Sequence, residues 1–228
     1  MKPHHFERIV REDLVTRLES CISKLYPGIS VEPFGSFASG LYLPIADMDL
    51  VVISDDYRRG GYARLGTSRS FMHRLAKQLS RAGMTQADSV EVIWHAKVPI
   101  IKFVDQLTGL KVDLSFENLT GIDALKTFGS WKKQFPAMPA LVTLVKQFLL
   151  IRGLNEVFTG GLGGFSVTCL VVSMLQHLPQ IQSGNMNQEH HLGELFMDFL
   201  DLYGNKFNLV TTAISMDPPG YFPKVRAL

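Results

Sequence analysis

The chain has only two cysteines in 228 residues, Cys21 and Cys169, far apart and in no metal-ligand or redox spacing. That scarcity excludes a disulfide scaffold and favours a reducing compartment, with both thiols expected in the core. No apolar run approaches the roughly 20 residues that a membrane span needs, and residues 1–12 lack the apolar stretch of a signal peptide. A soluble protein with no membrane partner is expected. Charge is sparse too, at 19% of residues with a net +2. This permits a polyanionic partner but falls short of the strongly basic signature of a dedicated nucleic-acid binder. Repeats and low-complexity tracts are also missing. What remains is a 46% hydrophobic chain, long enough to bury the core of one large domain or two modest ones.

Apolar residues recur at helical spacing from Phe6 through Ile9, Val10, Leu14, Leu18 and Ile22 to Leu25, predicting a first helix with one apolar stripe that stops at Pro27-Gly28. An extended segment over 29–34 precedes Gly35-Ser36, and the β-branched run Leu50–Ile53 reads as a core strand. A helix is predicted over 68–81, its cations Arg69, Arg74, Lys77 and Arg81 forming a solvated face. Extended segments over 98–104 and 110–116 are joined by a connection of hairpin length. Leu110, Val112, Leu114 and Phe116 fall on one side of the second segment and Lys111, Asp113 and Ser115 on the other. Beyond Asn118 the pattern is helical, near 120–134, 138–152, 165–178 and 190–203.

Asp47 and Asp49 are the sharpest chemical signal. They open a strand two residues apart, which aims both carboxylates to one side. Acids converging on one point repel unless something cationic neutralises them, and hard divalent ions such as Mg²⁺ prefer such oxygen ligands. Asp113 would complete a three-carboxylate site if its strand lies beside the one beginning at Asp47. An arbitrary Asp-x-Asp pair before a strand is more often a solvated turn, so the weight falls on the surrounding residues.

Residues 34–52, from Phe34-Gly35-Ser36 through Leu41-Tyr42-Leu43-Pro44 to Asp47-Met48-Asp49, resemble the signature of the DNA polymerase beta-like nucleotidyltransferase superfamily. The Leu-Tyr-Leu-Pro element is similar to the noncanonical poly(A) polymerases, including the catalytic subunit of the TRAMP RNA-surveillance complex. The likeness continues through residues 111–117, 121–124, 144–149 and 159–166. It implies an α/β nucleotidyltransferase domain with a small mixed sheet, residues 1–125, whose first helix has the option of packing on the second domain. A helical poly(A)-polymerase-associated domain follows at residues 126–228, with the nucleotide bound between the two. Asp47, Asp49 and Asp113 are implied as the catalytic ligands of two Mg²⁺ ions, Mn²⁺ being the alternative. Gly35 and Ser36 are implied to hold the triphosphate of ATP. Lys146, inside an apolar helical pattern, is expected at a phosphate, and Gly164 and Phe165 at the nucleotide. For Phe165 a place in the core and a base-stacking role stand side by side.

The implied activity is addition of AMP from ATP to an RNA 3′ end, with partners of the TRAMP kind: a zinc-knuckle RNA-binding protein and an RNA helicase, in the nucleus with the nucleolus included. A terminal uridylyltransferase and a truncated, non-catalytic RNA- or partner-binding paralogue are the alternatives. Relatives of this type continue past the segment matching Gly220–Lys224 into a nucleotide-recognition segment, so the helical domain is expected to be truncated. Other candidates are weaker. His4-His5 and His190-His191 are adjacent pairs without zinc spacing, residues 160–164 lack the lysine of a P-loop, and Lys132, Lys133 and Arg152 read as solvated surface.

Overall fold

A computed structural model describes residues 4–224. The described residues divide into an N-terminal unit that ends at Lys126 and a C-terminal unit that begins at Thr127.

The N-terminal unit holds helices α1 (His5–Ser23), α2 (Gly35–Ser39), α3 (Asp55–Arg58) and α4 (Arg69–Arg81) around strands β1 (Ile29–Pro33), β2 (Met48–Ser54), β3 (Glu91–Ile93), β4 (Ile100–Val104) and β5 (Lys111–Phe116). The five strands form one sheet in the order β1-β2-β5-β4-β3. Only the β2–β5 pair is parallel, with Leu50 opposite Leu114; β1–β2, β4–β5 and β3–β4 run antiparallel. Side chains alternate across the sheet. One face (Met48, Leu50, Val52, Val112, Leu114, Ile101, Phe103) closes on Leu14, Leu18 and Ile22 of α1 and on Phe71, Met72, Leu75 and Leu79 of α4. Ser68 caps α4 by accepting the Phe71 N–H, and its four cations lie exposed as expected.

The first helix departs from its predicted stripe. Phe6 and Ile9 are 63% and 53% exposed, whereas Arg11 is 2% exposed. The buried row is Arg11-Leu14-Leu18-Ile22, a spacing as helical as the apolar one, but a hydrophobicity pattern gives no weight to a buried guanidinium. Three short elements also escape the pattern: α2, α3 and the three-residue edge strand β3 are too brief to show a period. Neither cysteine is fully buried. Both are partly buried free thiols, Cys21 packed against the hydrophobic core, and burial pushes each up in pKa.

Glu117, just past β5, is a buried residue with a positive φ of 44°, a conformation unfavourable for a side chain with a Cβ. Its carboxylate accepts from the Ser54 hydroxyl and from the backbone N–H groups of Arg64 and Leu65. A single acid thus ties the end of β2 to the segment leading into α4.

The C-terminal unit contains most of α5 (Thr120–Gln134), then α6 (Met138–Ile151), α7 (Gly164–His177), α8 (Pro179–Gln182) and α9 (Leu192–Asp201). No single helix among the described residues is long and apolar enough to cross a membrane. An antiparallel hairpin, β6 (Thr212–Met216) and β7 (Pro219–Pro223), follows, where only helical texture was expected. Its five-residue strands carry Pro219 and Pro223, which argue against a strand anywhere but an edge. Tyr203, with its hydroxyl donating to the Leu170 carbonyl, packs against Phe199 and Phe207, and burial pushes its phenol well up.

Asp105, fully buried after β4, receives two hydrogen bonds from Arg17 at 3.1 and 3.0 Å and two from Thr108, N–H at 2.9 Å and hydroxyl at 2.6 Å. Burial alone would push this carboxyl up; the Arg17 and Thr108 hydrogen bonds outweigh it, holding the pKa below the ordinary 3.8. A carboxyl depressed in the folded state stabilises the fold fully above its unfolded pKa, and that contribution is lost as pH falls through the folded value. Arg17→Ala removes half the donors and strands a buried charge, so we expect a loss of about 3 kcal/mol at neutral pH. Acid unfolding should also begin at a higher pH than in the wild type. Urea melts at pH 7 and through the range below 5 check both; an unchanged acid limb would show that Arg17 does not hold the carboxylate.

Candidate active site

The polar face of the sheet is organised by the β2–β5 register. Asp49 stands opposite Asp113 across the parallel pair, and Lys102 of β4 stands opposite Asp113 across the antiparallel one. Paired residues share a face, so the three form a row across β2, β5 and β4 at the strand spacing of about 4.8 Å. Two carboxylates at that spacing repel unless a cation intervenes. Part of the compensation is in place: the Lys102 ammonium lies 2.9 Å from Asp113 Oδ2. The hydrogen bond to Asp113 raises the ammonium above its ordinary pKa against the opposing effect of burial.

Asp47 falls one residue ahead of β2, in the loop that follows α2, so strand alternation governs Asp49 but not Asp47. Gly35 opens α2 with φ +63°, and a Cβ built there would sit 2.3 Å from Asp49 Oδ2 and 3.0 Å from its Cγ. The Asp49 carboxylate therefore lies directly against the Gly35 α-carbon, and glycine is required there for conformation and for space alike. Ser36 follows within the first turn; its carbonyl accepts from the Ser39 hydroxyl and the Leu41 N–H, and the turn closes on Gly40 in the left-handed conformation.

Among the described residues no three His, Cys, Asp or Glu side chains are arranged to enclose a metal ion. Mg²⁺ does not need such a cage, since it commonly binds through one or two carboxylates with substrate phosphates and water completing its shell. The donor chemistry of Asp47, Asp49 and Asp113, oxygen throughout and two of them side by side, fits a hard divalent cation.

A second group lies in the C-terminal unit. Lys146 of α6 reaches over the start of α7: a Cβ on Gly164 would be 2.8 Å from Lys146 Cε and 3.0 Å from Nζ. An ammonium beside the first backbone N–H groups of a 14-residue helix is a cationic corner of the kind that receives an anion. Phe165 is 62% exposed, which removes the core reading, and its ring contacts Phe128 at 5.9 Å between centroids. Of the residues singled out from sequence, the fold brings together Asp49, Asp113 and Gly35 in one unit and Lys146, Gly164 and Phe165 in the other. Lys102 was missed. It was legible in principle, because a hairpin that pairs Val104 with Lys111 places residue 102 opposite residue 113 by counting alone.

The chain is similar to known proteins over nearly its whole length. The central palm domain of mitochondrial-like poly(A) RNA polymerases matches residues 1–134, and the Cid1 family poly A polymerase domain matches residues 191–227. Poly(A) RNA polymerase cid14 of Schizosaccharomyces pombe is 39% identical over 216 residues, 95% of this chain and 30% of that protein. An inactive relative, the poly(A) RNA polymerase protein Trf4-2 of Drosophila melanogaster, is 35% identical over 213 residues, 92% of this chain and 49% of that protein. The chain therefore spans 30% of the length of the first of these curated relatives and 49% of the second. The solved polymerase core of TRAMP, an RNA surveillance complex, superposes with a TM-score of 0.84 at 39% identity, covering 97% of this chain and 67% of that one. With a family model over residues 1–134 and 39% identity to a solved polymerase core, the chain belongs to the noncanonical poly(A) RNA polymerase family.

Proposed function

We propose that the chain is the catalytic core of a template-independent RNA 3′-terminal nucleotidyltransferase that adds AMP from ATP and releases pyrophosphate. The observation that carries this reading is Asp49 in register with Asp113, with Gly35 pressed against the Asp49 carboxylate. The 3′-hydroxyl oxygen of RNA attacks the α-phosphorus, and the bond from that phosphorus to the bridging oxygen of pyrophosphate breaks. Asp47, Asp49 and Asp113 would hold Mg²⁺, with Mn²⁺ as a substitute. Bound divalent ions of this kind lower the pKa of an attacking hydroxyl and neutralise a departing polyphosphate.

The chain's own residues supply the rest. Asp113, its Oδ2 bonded to Lys102, is assigned to the side of the attacking hydroxyl. Asp49 is fixed in direction by the β2 backbone and by contact with Gly35. The backbone N–H groups at the start of α2 and the Ser36 hydroxyl are assigned to the triphosphate, and Lys146, Gly164 and Phe165 to nucleotide binding, the lysine through a phosphate and the exposed ring by stacking on the base. In the cell the reading places the activity in nuclear RNA surveillance, the nucleolus included, with a zinc-knuckle RNA-binding protein and an RNA helicase as partners. The likeness to the polymerase core of TRAMP, an RNA surveillance complex, supports the RNA-surveillance part of that reading. The modest net charge of +2 fits RNA binding supplied partly by partners. Likeness to an inactive Drosophila relative favours one second reading, a non-catalytic binding role.

Primer extension on labelled oligoadenylate, with each ribonucleotide in turn and Mg²⁺, decides between these readings. ATP-dependent extension is expected, reduced about a hundredfold or more in Asp47→Ala and Asp113→Ala, because each loses several kcal/mol of charge stabilisation. Extension preferring UTP would reassign the enzyme to the uridylyltransferases. Absence of extension with every ribonucleotide, also after appending the segment that relatives carry beyond the match to Lys224, would favour the non-catalytic role. Gly35→Ala is expected to lose activity as completely as the aspartate variants, since its Cβ collides with the Asp49 carboxylate, while melting within a few degrees of wild type; near-normal turnover would exclude the proposed fit.

A further inference from the structure

Arg11 is a charged residue in an unusual place. It lies in the middle of α1, 2% exposed, and its guanidinium is spent on main-chain carbonyls. Nη1 and Nη2 both donate to the Ala46 carbonyl at 3.1 Å, and Nη2 also donates to the Pro44 carbonyl at 3.0 Å. The guanidinium carbon stands 4.8 Å from the centre of the Tyr42 ring and 5.7 Å from that of Phe37, within the range of cation–π attraction. Burial pulls the guanidinium down from its ordinary pKa, and electrostatic interactions with Tyr42, Glu7 and Asp47 oppose that pull.

Burying a guanidinium costs several kcal/mol even after relaxation, and an apolar side chain would pack α1 without that cost. The hydrogen bonds explain what the charge accomplishes. Residues 41–47 lie between α2 and β2 and belong to neither a helix nor a strand. Their own backbone bonding includes the Ala46 N–H to the Leu43 carbonyl and the Leu41 N–H to the Ser36 carbonyl. The Ala46 carbonyl belongs to the same peptide plane as the Asp47 N–H. A planar fork bonded twice to that oxygen fixes the plane from which the Asp47 side chain departs. Lysine, a point charge with rotatable donors, cannot reproduce the fork.

We propose that Arg11 is the positioning residue for Asp47, holding the irregular 44–46 segment so that this carboxylate is presented beside Asp49 for a divalent cation. The inference rests on the proposed reading of Asp47 as a metal ligand. It adds to the aspartates a residue more than thirty positions upstream that does not itself touch metal or nucleotide. Partners that orient a ligand characteristically change metal affinity by about 10–100-fold when removed.

The test is Mn²⁺ binding, followed by paramagnetic resonance of the free ion, on the wild-type chain, Arg11→Lys, Asp47→Asn and the double variant. We expect Arg11→Lys to bind Mn²⁺ about tenfold more weakly, and the double variant to bind no more weakly than Asp47→Asn alone, because Arg11 acts through Asp47. Hydrogen exchange supplies a second readout that survives partial destabilisation. Arg11→Lys should accelerate exchange in a peptide covering residues 41–49 while leaving one covering residues 110–116 unchanged, whereas a merely structural arginine would loosen both. Mn²⁺ binding in Arg11→Lys within twofold of wild type, with Asp47→Asn weakened, would overturn the role of Arg11 and leave the metal reading standing. Equal binding by Asp47→Asn and wild type would overturn both.

Discussion

The polar side of the sheet is arranged around one unfavourable contact. The parallel pairing of β2 with β5 places Asp49 beside Asp113, and like charges at strand spacing destabilise the pairing that brings them together. The pairing survives because its other face is dry: Leu50, Val52, Leu114 and Phe116 are buried with α1 and α4 behind them. Each such side chain contributes on the order of 1.5–3 kcal/mol. The hydrophobic face thus bears the cost of the carboxylate face, and the repulsion is available to any cation that enters. Lys102 takes up part of it from the neighbouring strand.

The other features of the N-terminal unit follow from needing those carboxylates in fixed positions. Gly35 is stripped of a side chain so that Asp49 can lie against the backbone. Arg11 and Asp105 are buried charges whose hydrogen bonds fasten a loop and a strand end respectively. Neither arrangement maximises stability, since apolar replacements of buried charges are often neutral or better. Both specify a single backbone path, which a site of fixed carboxylates requires.

How much of this was legible in the sequence depends on the length scale of each feature. Period-3.6 and period-2 patterns marked α4, α5, α6 and α7 and the strands β2, β4 and β5, because those elements repeat long enough to show one buried side. The separation of Asp113 from Val112 and Leu114 was visible for the same reason. The pairing of β2 with β5 was not visible, because strands some sixty residues apart leave no mark on one another's composition; there the resemblance of residues 34–52 and 111–117 supplied what periodicity could not. Elements of three to five residues, such as α2, β3, β6 and β7, fall below the resolution of any period. Arg11 and Glu117 were missed for a different reason. Their roles are set by whose carbonyl or N–H stands opposite, and hydropathy assigns both to the surface.

Glu117 has a bearing on how freely chain length can vary here. Between α3 and α4 lie ten residues, 59–68, and the Glu117 carboxylate grips their midpoint through the N–H groups of Arg64 and Leu65. The connection is thereby divided into two short spans, each anchored at both ends. A residue gained or lost before Arg64 alters only the first span, because loop closure entropy changes slowly with length and the anchor isolates α4 from the change. The same alteration after Leu65 would pull directly on Ser68 and the first turn of α4. Insertions and deletions are thus steered to the outer span, and the helix behind the carboxylate strands keeps its register while the surface ahead of it diversifies.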